Sequence, residues 1–205
     1  MDKDIVNGDK EKPLAKITCS SYDCEQDLHC FRRKRPKKQS YRSEECVACG
    51  AQLVEWQRLD KNDLNDVENT FKSLERELIR HHFWHKAFDD EALKHAEGQG
   101  LVGLRQGVQN RLRSCLRKPS SENSWDGRQT PLKGRVIYYA QHATATCCRK
   151  CAEIWHGFDR EKQLTDDEFE YMSELVMKYI DKRLPDLPSA GPKARPQKTK
   201  KRILE

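Results

Sequence analysis

The sequence has no uninterrupted apolar run near the roughly 18 residues that cross a bilayer. Its opening, Met1-Asp-Lys-Asp, carries no apolar segment of the kind that directs export. We therefore expect no membrane association and a cytoplasmic protein. Glycine is sparse, at 10 of 205 residues. There is no Walker loop, no Gly-rich dinucleotide turn and no Gly-x-Ser-x-Gly elbow, which removes the commonest phosphate-binding and acyl-transfer signatures. No internal repeat is found. Hydrophobic residues reach only 36% against 35% charged, so a thin or split core needs support beyond apolar burial. Nine cysteines are the candidate source of that support. In a chain without an export signal, thiols paired closely beside histidines point to metal before disulfides.

The net charge of +6 is unevenly spread. Between Phe31 and Arg42 stand seven cations and no acid: Arg32, Arg33, Lys34, Arg35, Lys37, Lys38 and Arg42. A second basic stretch closes the chain, and the remainder is mildly acidic. Concentrated cations bind polyanions because each neutralised phosphate releases counterions. The plainer alternative is a solvated loop and tail that aid solubility.

Patterning predicts an α+β, helix-dominated chain. Residues 1–16 read as disordered, 17–60 as a small zinc-ribbon-like unit holding the basic loop, 61–184 as a compact helical domain with few short strands, and 185–205 as a disordered basic tail. Val67, Phe71, Leu74 and Leu78 recur at helical spacing and predict a helix from about Leu64 to Trp84. After a glycine-marked break at 98–103, a weaker helix is expected over about 104–116. Arg135-Val-Ile-Tyr-Tyr-Ala140, β-branched and aromatic, predicts a strand. Thr165 and Glu168 form a capping box for a final helix whose stripe is Phe169, Met172, Leu175, Val176, Tyr179 and Ile180. Pro185 ends it.

Two clusters carry the chemistry. Cys19-x4-Cys24 and Cys46-x2-Cys49-Gly50 predict a closed zinc site, with His29 or Cys30 as the reserve ligand. Two residues between thiolates let both sulfurs reach one ion, and the following glycine relieves the backbone. The basic run lies between these two pairs, so a metal at its base would hold the ends of the loop together. The second cluster packs His142, Cys147, Cys148, Cys151 and His156 into fifteen residues. Cys148-x2-Cys151 is a metal knuckle, and His142 and His156 are the proposed completing ligands. One geometric condition applies. On an uninterrupted helix, Cys151 and His156 would point about 140° apart, and Cys147, Cys115 or water would then take the fourth place. An open position holding water would make the site catalytic. His81 and His85, four apart, form a weaker pair that can face a metal or a phosphate.

Trp125-Asp-Gly-Arg-Gln-Thr-Pro131, the string Gln141-His-Ala-Thr-Ala-Thr-Cys-Cys-Arg149 and Trp155-His156 resemble domain-of-unknown-function family 4186, over roughly Leu78 to Leu184. Arg135-Val136 stands where the family is expected to have His-Pro. The resemblance implies a domain with the cysteine-rich unit added ahead of it, and it supplies no reaction. The expectation is a zinc-stabilised binding module, with one or two zinc ions, that engages DNA or RNA through Arg32, Arg33, Lys34, Arg35, Lys37 and Lys38. The first alternative is a metal-dependent hydrolase or nuclease at His142, Cys148, Cys151 and His156. The second is a protein-binding adaptor that presents the helix Thr165–Leu184.

Overall fold

The computed structural model describes residues 17–34, 40–123, 128 and 130–192. The expected disordered segment 1–16, most of the expected tail and the loop cations Arg35, Lys37 and Lys38 lie outside the described residues.

The described residues of 17–66 form turns and short bridges, with 3-10 turns at Cys24–Gln26 and Leu64–Asp66 and one brief helix, α1 (Trp56–Leu59). Then follow α2 (Val67–Glu75), α3 (Leu78–His85), α4 (Asp90–Leu116), α5 (Val136–Ala143), α6 (Arg149–His156) and α7 (Asp166–Arg183). The chain is helix-dominated. Among the described residues strand pairing is limited to isolated bridges, such as Asp23 with Leu28 and Arg32 with Arg42. None of the described helices is long and apolar enough to cross a membrane.

The stretch expected as a strand, Arg135–Ala140, is instead the start of α5. Helix α5 packs on α3, α4 and α7, and Val136, Ile137, Tyr139 and Ala140 are all buried. A short apolar run surrounded by protein carries no period that separates strand from helix, so the packing decides. The helix predicted over 64–84 is broken. His29 donates its backbone N–H to the Arg76 carbonyl and accepts from Leu78 N–H, at 2.7 and 3.3 Å. These bonds take the place of helical ones and separate α2 from α3.

In α4 the expected glycine break shrinks to one residue. Gly100 alone is non-helical, at φ 62° and ψ 178°. A Cβ there would lie 2.4 Å from the backbone nitrogen of Gly191. The segment 185–191, expected as disordered tail, is docked at this kink, with Leu101 and Val102 donating to the carbonyls of Pro188 and Ser189.

The final helix follows its predicted pattern, and Thr165 and Glu168 close the capping box reciprocally. Its stripe, Phe169 through Ile180, is buried in the core. That face is therefore not displayed to a protein partner. The cysteine-rich unit joins the same core: Phe31 and Trp56 set their rings 5.7 and 5.2 Å from that of Trp155.

Candidate metal centres

The first centre is built from turns. A narrow turn, Asp23 to Leu28, is closed by reciprocal backbone bonds of 2.7 and 3.0 Å, with Asp27 in the left-handed region at φ 58°. It brings Cys24 and His29 to one side. From the other side comes the knuckle Cys46–Gly50, where Gly50 at φ 77° donates to the Cys46 carbonyl. No neighbouring atom crowds a Cβ at Gly50, so glycine serves the backbone angle rather than a close approach. The donor atoms of Cys24, His29, Cys46 and Cys49 all lie within 4.8 Å of one another and can hold a metal ion.

The spacings are informative. Zn–S bonds of about 2.3 Å and Zn–N bonds of about 2.0–2.1 Å give tetrahedral edges of about 3.8 Å for S···S and about 3.5 Å for S···N. Cys24 and Cys46 are 3.8 Å apart at Sγ, and Cys49 Sγ is 3.5 Å from His29 Nδ1. His29 Nε2 meets the Asp27 carboxylate at 3.0 Å, and Arg76 pairs with the same carboxylate. A carboxylate on the far nitrogen fixes the ring orientation and leaves Nδ1 free to ligate. Bonding to His29 also holds the Asp27 carboxyl below its usual range. The sulfurs do not ionise alike. Burial raises the Cys46 thiol, but backbone N–H groups of Cys30, Cys49 and Ala48 outweigh it and bring it down to about 6. Burial and its two sulfur neighbours push Cys24 up to about 12. A dication is what would let all of them be thiolates together.

Cys19, expected in this set, is elsewhere: its sulfur is 3.9 Å from that of Cys151. His29, the reserve ligand, takes its place. Cys30 is fully buried and belongs to neither donor set, its thiol pointing at the Cys19 carbonyl at 3.6 Å. Asp27 was missed by the sequence reading, although an acid two residues before a histidine inside the cluster was a signal for it.

The second centre gathers Cys147, Cys148 and Cys151, whose sulfurs can hold a metal ion. Gln141 builds the loop before them. Its side-chain amide donates to the Thr146 carbonyl at 2.9 Å, while its backbone carbonyl accepts from Thr146 N–H. Thr144, Thr146 and Gln141 are fully buried. Cys148 then caps α6 in an extended conformation. Arg149, also fully buried, anchors that helix by donating to the carbonyls of Leu116 and Lys162 at 3.1 and 2.7 Å.

The structure does not bring His142 and His156 to these sulfurs. α6 is one uninterrupted helix from Arg149 to His156, so the 140° divergence applies to Cys151 and His156. His156 Nε2 meets the Thr144 carbonyl at 2.9 Å, and His142 Nε2 meets that of Thr130 at 3.1 Å. The His142 ring stacks on Phe83 at 4.4 Å. Burial drives both imidazoles down to about 4, with Arg80 adding to the effect at His142. They are neutral core histidines. Cys115 is also apart, 3.4 Å from the Gln141 amide nitrogen.

Arg80, which the sequence analysis did not single out, is buried beside the sulfurs. It donates to Cys151 Sγ at 3.0 Å and to the His142 carbonyl at 2.6 Å. It pairs with buried Glu77 at 2.9 Å, and Glu77 accepts from Trp155 Nε1 at 2.8 Å. A third donor group, Glu75 with His81 and His85, lies toward the surface of α2 and α3. A cleft of about 710 Å³ is lined by Arg33, Arg42, Asp60 and His156 among others, and by none of the sulfur ligands.

The basic loop is closed at its base by the bridge between Arg32 and Arg42. Arg42 is engaged structurally: it donates to the Ile154 carbonyl at 2.6 Å, grips Asp60 with two bonds, and lies 4.6 Å over the Trp56 ring. Tyr41 beside it carries three cations near its ring: Arg32 at 5.9 Å, Lys150 at 5.2 Å and Arg160 at 5.0 Å.

The family model described as Domain of unknown function (DUF4186) matches residues 68–181. No solved structure matches the chain.

Proposed function

The chain belongs to the DUF4186 family, matched over 68–181, and from that premise we propose that it is a zinc-stabilised, intracellular binding module that engages nucleic acid. The contact surface is the basic loop held by the cysteine-rich, zinc-ribbon-like unit. Its cations are Arg32, Arg33 and Lys34, together with Arg35, Lys37 and Lys38 farther along the loop. The observation that carries this reading is the gathering of cations around Tyr41. Lys150 and Arg160, from α6 and the loop after it, meet Arg32 there, with Arg160 also paired to Glu153 and Glu161, so the family domain and the added unit both bring cations to one surface. Such a surface gains affinity by releasing counterions from a phosphate backbone.

A module is favoured over a hydrolase at His142, Cys148, Cys151 and His156 because both histidines are engaged by the carbonyls of Thr130 and Thr144 and stand apart from the sulfurs. The single test is salt-dependent binding of short DNA and RNA to the full chain and to an Arg32→Ala/Arg33→Ala/Lys34→Ala variant. The variant should bind at least about tenfold more weakly at low salt, with a shallower slope of log affinity against log salt. Equal affinities, or none in the parent at low salt, overturn the reading.

A further inference from the structure

We propose that Cys19, Cys147, Cys148 and Cys151 together bind one soft divalent cation, zinc, in a closed four-thiolate site. A residue from ahead of the matched family region would thus complete a centre inside it. This stands independently of the nucleic-acid reading, because it concerns sulfur geometry and not the basic loop.

Three observations converge on it. The Cys19 and Cys151 sulfurs are 3.9 Å apart, close to the tetrahedral edge of about 3.8 Å for two thiolates on one zinc. Cys147, Cys148 and Cys151 already place their sulfurs within 4.8 Å of one another, and Cys19 contacts Cys147 as well as Cys151. An iron–sulfur cluster would hold its cysteine sulfurs farther apart, because iron and sulfide ions stand between them. The spacing therefore points to a single ion.

The surroundings suit anionic sulfur. Cys148 stands at the N-cap of α6, where the helix dipole favours negative charge. The Arg80 guanidinium reaches Cys151 at 3.0 Å and Cys147 at 3.7 Å, with 1% of its surface exposed. With zinc bound, four thiolates leave the centre doubly negative, and Arg80 is the buried cation set against that charge. The remaining cysteines outside the first centre are accounted for differently. Cys30 points at the Cys19 carbonyl, and Cys115 bonds the Gln141 amide.

The consequence is a metal staple. Cys19 lies well over a hundred residues from its partners in sequence, so zinc at this point would close a very long loop and fasten the N-terminal unit to the family domain.

The test uses the full chain loaded with cadmium-113, whose chemical shift reports how many sulfurs surround each ion. The parent should show two resonances, one from three sulfurs and a nitrogen and one, farther downfield, from four sulfurs. A spectrum without a four-sulfur signal overturns the proposal. A Cys19→Ser variant should lose the four-sulfur signal and keep the other, and its zinc content should fall from about two ions per chain to about one. An unchanged four-sulfur signal in that variant removes Cys19 from the site. Cys30→Ser and Cys115→Ser should leave both signals in place. If Cys19→Ser does not fold, the parent spectrum read beside these two controls still decides.

Discussion

The two sulfur centres differ in almost every respect that governs what a metal site needs. The first is assembled from turns within residues 24–49, near the surface, and combines three sulfurs with an imidazole. The second is buried among α3, α5 and α6. Its outer partners differ to match. His29 has an N–H to dispose of and finds the Asp27 carboxylate, an acceptor. The sulfurs of the second centre need donors and find Arg80 and the N-terminal end of α6. The lesson is that the outer partner is chosen by the ligand's chemistry: imidazole calls for an acid, thiolate for a cation or an N–H.

The largest expected effect tests the buried side of this contrast. Arg80→Met removes the only ion-pair partner described for Glu77, whose side chain is 1% exposed. We expect a loss of about 3–5 kcal/mol in urea unfolding. Arg76→Met, which leaves the exposed Asp27 carboxylate with His29 as its partner, should stay within about 1 kcal/mol. Adding Glu77→Gln to Arg80→Met should restore part of the loss. Equal costs for the two arginines would erase the contrast between the centres.

A smaller effect separates the core histidines from ligands. The folded-state pKa of His156 is lowered to about 4 by burial, against about 6.5 in the unfolded chain. The unfolded state therefore takes up the proton first, and stability present at neutral pH is lost as pH falls below about 6.5. Against a His156→Leu variant, the parent's stability advantage should shrink by about 2 kcal/mol between pH 7 and pH 5. Comparing the two proteins cancels the acid sensitivity of metal binding that they share. A constant difference across that range would mean that His156 is not held neutral.

The smallest effect belongs to the first centre. Asp27→Asn leaves all four ligands in place but weakens the acceptor on His29 Nε2. Zinc affinity there should fall about 10- to 100-fold in competition with a chelator, while the signal of the second centre is unmoved. A matching loss at both centres would show that they are not independent.

How much of this was legible beforehand follows the same division. The knuckle Cys46–Cys49 and the capping box of α7 each depend on residues three apart, and both were readable. His29 was visible as a reserve, but its choice over Cys19 rested on where a turn at Asp23–Leu28 would aim it. Helix α5 was misread because Val136, Ile137 and Tyr139 are buried by three other helices, and a fully enclosed run loses the alternation that distinguishes strand from helix. His142 and His156 were drawn to the sulfurs by their nearness in sequence. The helical course of α6 turned one away, and the carbonyls of Thr130 and Thr144 occupy both.

By itself, the sequence determined that sulfur would gather in two places, that cations would crowd the stretch between Cys24 and Cys46, and that helices would dominate. Those properties are set by residue type and short spacing, and neither changes on folding. Only the tertiary structure decided which sulfur belongs to which centre, that Arg42 braces the unit internally, and that Arg80 and Glu77 meet beside Cys151 and Trp155. A side chain's direction across the core depends on how whole helices pack, and no local pattern encodes that.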